Sequence, residues 1–235
     1  MKTIALIVAG GVGSRVGATL PKQFLPLAGR PMLLHTLEAF ENCPQIGSII
    51  LLLPREWIDH FRSEILPPGV FTKLKKILPG GKTRQDSTYA GFQGIDEAVD
   101  VVLVHDGARP LIRKETIADC IANAAEHGAA LAACLSKDTV KEVDGEGQVR
   151  KTLDRRQIYL AQTPQAARYS LLKEALETAY SQGLQATDEA SLLEKIGVKV
   201  KIVETDSTNM KVTTPEDFWV AEAVLRGWEE VRSKG

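Results

Sequence analysis

The chain has 235 residues, of which 44% are hydrophobic and 25% charged, with a formal net charge of −1. That length allows one large α/β domain with a sizeable core, and the near-zero charge excludes a global pull toward nucleic acid or membrane, so any anion must be bound locally. Three widely spaced cysteines, Cys43, Cys120 and Cys134, argue against a disulfide framework or zinc site and for a reducing compartment. The first apolar run is too short for a signal peptide and no stretch approaches a membrane span, so the expected location is the cytoplasm.

Residues 3–8 read as a strand that runs into Ala9-Gly10-Gly11-Val12-Gly13-Ser14-Arg15-Val16-Gly17, with Leu20-Pro21-Lys22-Gln23-Phe24 close behind. Glycines let backbone N–H groups approach an anion that a side chain would hold off. The loop lacks the closing Gly-Lys-Ser or Gly-Lys-Thr of a Walker A motif. It also fails as a dinucleotide fingerprint. Val16 stands where the third glycine belongs, and the second strand, 49–53, ends in Pro54-Arg55 instead of an acid. Arg15 and Lys22 add two mobile cations, which suit a triphosphate. A plain strand-to-helix turn leaves them unexplained.

Further along, a helix is expected over 32–41, a strand over 48–53, a helix over 56–65, a short strand over 75–78 and a helix over 85–98. A buried strand follows over 101–105, then a helix over 114–127 and another buried strand over 129–135. This alternation implies a mostly parallel sheet with helices on both faces, and such sheets bind ligands beyond the carboxyl ends of their strands. The first glycine loop and His105-Asp106-Gly107-Ala108-Arg109-Pro110 would face the same crevice. The segment 137–156 departs from the pattern. Two charged, alternating runs flank Asp144-Gly145-Glu146-Gly147, a hairpin signal for an exposed arm that needs a partner surface. Helices over 168–182 and 188–196, a strand over 199–204 and a helix over 215–232 complete a single domain, 1–235, with the arm as its insertion.

Gly80-Gly81-Lys82-Thr83-Arg84-Gln85-Asp86-Ser87 is a second glycine-led loop, whose free N–H groups could bind a base edge, ribose or phosphate, or simply open a capped helix. Asp106 could hold a ribose, a sugar hydroxyl or a metal, and Arg109 a phosphate; alternatively the two pair with each other. Thr187-Asp188-Glu189-Ala190-Ser191 explains itself as a capping box, and Asn209-Met210-Lys211-Val212-Thr213 sets a lysine near the end of a strand-like segment. His105 reads as a packed core residue. No nucleophile, triad or metal-ligand cluster emerges. A site of Arg, Lys, one Asp and glycine loops transfers phosphoryl or nucleotidyl groups by positioning and charge neutralisation, with one substrate's phosphate as nucleophile and Mg²⁺ bridging phosphate oxygens.

The ordered set of these motifs, with Asp138-Thr139, Asp154-Arg155 and Gln162-Thr163-Pro164-Gln165, resembles the sugar-phosphate cytidylyltransferases over essentially the whole chain. It is most similar to members that act on 2-C-methyl-D-erythritol 4-phosphate in the non-mevalonate isoprenoid pathway. The resemblance implies a Rossmann-like nucleotidyltransferase fold, transfer of CMP from CTP with release of pyrophosphate, and a homodimer formed by exchange of the β-arm. It implies that Ala9, Gly10, Gly11, Gly13, Gly80, Gly81 and Ser87 hold CTP, and that Arg15 and Lys22 stabilise the transition state. Asp106, Arg109, Thr163, Thr187 and Lys211 would line the methylerythritol phosphate site, with Thr139 and Arg155 reaching the partner's site. Mg²⁺ is expected mainly on the CTP phosphates, with Asp106 a possible ligand. A ribitol-5-phosphate cytidylyltransferase, a non-catalytic nucleotide-binding module and, more remotely, a dehydrogenase are the alternatives.

Overall fold

The computed structural model describes residues 1–10 and 20–233, so Gly11, Gly13 and Arg15 lie outside the described residues. Strand β1 (Thr3–Val8) is followed by a two-residue ladder, β2 (Pro26–Leu27) and β3 (Arg30–Pro31), and helix α1 (Met32–Glu41). Next come β4 (Ser48–Leu53), a short α2 (Ile58–His60), β5 (Leu74–Pro79), α3 (Arg84–Gln93), β6 (Val101–Asp106), α4 (Lys114–His127) and β7 (Ala129–Leu135). The hairpin β8 (Lys141–Val143) and β9 (Val149–Thr152) precedes β10 (Tyr159–Arg168), α5 (Tyr169–Gln182), α6 (Glu189–Lys195), β11 (Lys201–Glu204) and α7 (Pro215–Ser233). Seven strands form one sheet in the order β11-β7-β10-β6-β1-β4-β5, in which β10 alone runs against the others.

The apolar runs explain the sheet. Every residue of β1, β4 and β6 is buried, as expected where helices cover both faces. Their side chains alternate between two cores. Ala5, Ile7, Leu51 and Leu103 pack with Leu37 and Phe40 of α1 and Ile117 and Ile121 of α4. Ile4, Leu6, Leu52 and Val104 pack with Phe92 of α3 and Leu172 and Leu176 of α5. A smaller cluster seats Ala221 of α7 on Leu27, Met32, Ala108, Leu111 and Val212, which holds the chain after β11 against the segment after β6.

Several expectations are corrected. The stretch expected as one helix over 56–65 is a sequence of short turns, 3-10 at Arg55–Trp57, α at Ile58–His60 and π at Phe61–Ile65. Helix α3 ends at Gln93, because Gly94 caps it and the edge side chain Leu78 leaves no room there for a Cβ. Gln162 to Gln165, to which no element is assigned from sequence, lie inside the ten-residue β10, which contains a cis Thr163–Pro164 peptide. Lys211 sits in a loop rather than on a strand, held by the Val212 N–H donating to the Ala108 carbonyl at 2.8 Å. The arm forms as a two-stranded ladder with mostly exposed residues.

Gly107 lets β1 and β6 close at their carboxyl ends. Its N–H donates to the Val8 carbonyl at 2.8 Å, and a Cβ there would stand 2.8 Å from the Ala9 Cβ and 3.0 Å from Leu33 Cδ1. Gly107→Ala should therefore cost about 1–3 kcal/mol by overpacking. Urea unfolding checks it, and an unchanged midpoint would contradict this packing.

Candidate active site

The turn led by Gly80 and Gly81 meets Ala9 and Gly10 at the carboxyl edge of the sheet. The Gly81 N–H donates to the Ser87 hydroxyl at 3.0 Å, and that hydroxyl donates to the Thr83 carbonyl at 2.9 Å. A Cβ on Gly80 would lie 3.0 Å from Ser87 Oγ, and one on Gly10 3.4 Å from it, so Gly10, Gly80, Gly81 and Ser87 converge. The same turn opens α3 through a capping box between Thr83 and Asp86. Ser87 is thus spent on shaping the cradle, while the glycine backbones face it. Ala9 is fixed from both ends, its N–H donating to the Leu52 carbonyl at 2.9 Å and its own carbonyl accepting from Gln23 Nε2 at 2.7 Å. Gln23 lies in the turn that carries Lys22, and Lys22 Nζ donates to the Val212 carbonyl at 2.8 Å. That bond brings Lys22 next to Lys211.

Asp106 ends β6 and is only 6% exposed. Its Oδ1 accepts from Arg84 Nε at 2.8 Å, its Oδ2 pairs with Lys211 Nζ at 2.8 Å, and Arg109 Nε stands 3.7 Å from Oδ2. Burial works against the carboxylate charge, but the Arg84 and Lys211 cations outweigh it and hold the carboxyl well below its ordinary range. Arg84 also donates from Nη1 to both oxygens of Glu189, at 2.7 and 2.9 Å, and Thr88 Oγ1 donates to Glu189 at 2.8 Å. Burial disfavours the Arg84 charge, and the carboxylates of Glu189 and Asp106 more than restore it. Arg109 is held by the Asn209 carbonyl at 2.8 Å, and Asn209 Nδ2 donates to Gln162 Oε1 at 2.8 Å and the Thr163 carbonyl at 2.9 Å. Burial lowers the Arg109 pKa, and Asp106 opposes that.

Three cations, Arg84, Arg109 and Lys211, therefore surround two carboxylates, Asp106 and Glu189, leaving one positive charge in excess. Among the described residues Arg84 Nη2 and Arg109 Nε are buried without a hydrogen-bond partner, so two guanidinium groups keep donors to spare there. A surplus cation with unspent donors is what an anionic ligand requires. Among the described residues no group of three or more His, Cys, Asp or Glu could hold a metal ion, and both oxygens of Asp106 are committed to cations. Asp106 does not fit the metal ligand considered from sequence.

The structure brings together Gly10, Gly80, Gly81 and Ser87 on one side and Asp106, Arg109, Thr163 and Lys211 on the other, with Lys22 beside Lys211. It does not bring Thr187, Thr139 or Arg155 into that cluster. Thr187 is exposed at the start of α6, 3.5 Å from Ser191 Oγ, while Thr139 and Arg155 are exposed on the arm, where Arg155 donates to the Lys137 carbonyl at 2.7 Å. Sequence reasoning gave no role to Arg84, Glu189, Gln162 or Asn209. Arg84 and Glu189 each sit in a capped helix start, and their pairing across 105 positions has no local signal.

An α/β sheet with a glycine-led turn and a cationic cluster at its carboxyl edge has the architecture of a nucleotidyltransferase. The family model IspD, described as 2-C-methyl-D-erythritol 4-phosphate cytidylyltransferase, matches residues 3–227. A protein of that name from Syntrophus aciditrophicus is 40% identical over 225 residues, covering 96% of each chain. Another, from Clostridium perfringens strain SM101, is 42% identical over 225 residues, covering 96% of this chain and 99% of its own. The crystal structure of 4-diphosphocytidyl-2C-methyl-D-erythritol synthase from Anaerococcus prevotii superposes with a TM-score of 0.83 at 30% identity, covering 96% of both chains. That of the cytidylyltransferase from Thermus thermophilus gives 0.76 at 33% identity, covering 96% of this chain and all of that one. The chain belongs to the IspD family of cytidylyltransferases.

His105 is fully buried and packs on Phe40, ring centroids 4.9 Å apart. Its partners assign its protons. The Arg109 carbonyl, 3.2 Å from Nε2, can only accept, so Nε2 carries the hydrogen. Nδ1 then accepts from Thr163 Oγ1 at 2.9 Å, and that hydroxyl accepts from the Asp106 N–H at 3.1 Å. Burial pushes the imidazole pKa down to about 3. A folded value below the unfolded value of about 6.5 means that the unfolded chain binds the extra proton, so this contribution to stability is intact above pH 6.5 and is lost as pH falls toward 3. Nitrogen-resolved NMR should find His105 neutral, in the Nε2–H form, from pH 8 to pH 5; a midpoint near the ordinary histidine value would contradict the assignment.

Proposed function

We propose that this chain transfers CMP from CTP to 2-C-methyl-D-erythritol 4-phosphate, forming 4-diphosphocytidyl-2-C-methyl-D-erythritol and pyrophosphate in isoprenoid precursor synthesis. Membership of the IspD family supports the reaction, and the observation that carries its assignment to this site is the surplus of cation around Asp106, directly beside the Gly80–Ser87 turn. A phosphate oxygen of the polyol phosphate attacks the α-phosphorus of CTP. A new P–O–P bridge forms as the bond from the α-phosphorus to the bridging oxygen breaks, and pyrophosphate leaves with that electron pair.

In this reading Ala9, Gly10, Gly11, Gly13, Gly80 and Gly81 hold CTP through backbone groups, with Ser87 shaping the turn. Arg15 and Lys22 neutralise charge at the α-phosphorus. Asp106 accepts from a polyol hydroxyl, Arg109 and Lys211 meet the phosphate, and Thr163 fixes the Asp106 backbone. Thr187, outside that cluster on the turn that leads to Glu189, meets the polyol once the substrate is bound. Mg²⁺ arrives on the CTP phosphates as part of that substrate and supplies charge neutralisation there. The arm, with Val143 and Val149 exposed, reaches a second copy in a homodimer and supplies Thr139 and Arg155 to its site. Three free cysteines accord with a cytoplasmic setting, and among the described residues no helix is long and apolar enough to cross a membrane.

The test is pyrophosphate release with CTP, Mg²⁺ and either polyol phosphate. Turnover is expected with 2-C-methyl-D-erythritol 4-phosphate, and Lys22→Ala should lower kcat by about 10²–10³-fold, as for loss of one preorganised charge donor. Equal or better turnover with ribitol 5-phosphate would reassign the substrate. Release with neither would leave a nucleotide-binding module.

A further inference from the structure

Glu189 occupies the first turn of α6, where an acid is commonly solvated and favours the helix dipole. Here it is 3% exposed, and capping is done by its neighbour, since Asp188 Oδ1 accepts from the Ser191 N–H at 3.0 Å. A carboxylate buried that deeply is costly unless it is fully paired, and among the described residues its bonds come from α3: two from Arg84 Nη1 and one from Thr88 Oγ1. The guanidinium is planar, so bonds that fix Nη1 also fix the direction of Nε–H. That N–H donates to Asp106 Oδ1, with Nε 2.8 Å from the oxygen. With Oδ1 occupied in this way, Oδ2 faces Lys211 and Arg109.

We infer that Glu189 is a positioning residue which, through Arg84, sets how the Asp106 carboxylate is presented to the polyol phosphate; this rests on the proposed function of the Asp106 cluster. A run of charges, Lys211–Asp106–Arg84–Glu189, joins the loop before α7, the end of β6, the glycine-led turn and the 187–191 turn. Glu189 holds Arg84 to a single-point contact on Asp106. Without the Glu189 charge, the guanidinium is released to rotate into the more favourable two-point pairing and takes Oδ2 as well. The oxygen that faces the substrate is then withdrawn. The nucleotide cradle, built from Gly80, Gly81 and the Thr83–Asp86 capping box, keeps its own bonds.

Glu189→Gln separates these roles. The KM for the polyol phosphate should rise at least about fivefold, the scale of one charge-assisted hydrogen bond partly lost, while the KM for CTP moves less than about twofold. The ligand-free crystal structure of the same variant should have Arg84 on both oxygens of Asp106. Thr88→Val removes only one bond to Glu189 and should shift the same KM in the same direction by about two- to threefold. If Glu189→Gln does not fold, the two readouts on Thr88→Val decide. Unchanged KM values with Arg84 still on Oδ1 alone would overturn the inference, as would equal rises in both KM values. If the wild-type protein turns over no polyol phosphate, the proposed function fails, and the position of Arg84 in the variant crystal structure decides the role of Glu189 by itself.

Discussion

A buried carboxylate must be met by cations, and the site is organised around meeting the charge of Asp106. Three parts of the chain do so: Arg84 from the start of α3, Arg109 from the turn after β6 and Lys211 from the loop before α7. None of these is next to another in sequence. Their convergence fixes where the ends of α3 and β6 and the approach to α7 lie relative to one another, and it leaves a positive surplus at the carboxyl edge of the sheet. An uncompensated buried charge costs several kcal/mol, so the cluster is a constraint on the fold.

The sheet delivers that cluster because its strands are apolar on both faces. Ala5 and Ile7 point into one core, Leu6 and Val8 into the other, and β1 cannot slip by one residue without exchanging them. Gly107 then allows the ends of β1 and β6 to meet closely, which places Val8 beside Asp106 and Ala9 against Gly107. His105, directly before Asp106, is held neutral between Thr163 and the Arg109 carbonyl, so its ring braces the backbone that carries the Asp106 carboxylate. Strand packing, hydrogen bonding and ion pairing meet at these three consecutive positions, 105 to 107.

Much of this was legible in the sequence. Continuous apolar runs such as Ile49–Leu53 and Val101–Val104 admit a buried strand and little else, and both form buried strands of the central sheet. Legibility failed where structure depends on distant partners. β10 contains Thr163-Pro164-Gln165, and its pairing with β6 and β7, not any local signal, makes it a strand. Lys211 looked like the end of a strand because Met210 and Val212 are apolar, but those side chains serve the α7 cluster instead. Glu189 read as part of a capping box, and only the folded chain brings it to Arg84. Arg155 and Thr139, assigned through resemblance to a partner's site, stand on an exposed arm, where the sequence had already placed charged and alternating residues.

The proposed reaction puts the polyol phosphate at Asp106 and the nucleotide at the Gly80–Ser87 turn. The most direct measurement is a crystal structure of the protein with 2-C-methyl-D-erythritol 4-phosphate and a non-reactive CTP analogue. A polyol hydroxyl within hydrogen-bond distance of Asp106, with the phosphate on Arg109 or Lys211, is the result predicted. A polyol phosphate bound away from this cluster, with Asp106 still engaged only by Arg84, Arg109 and Lys211, would contradict it.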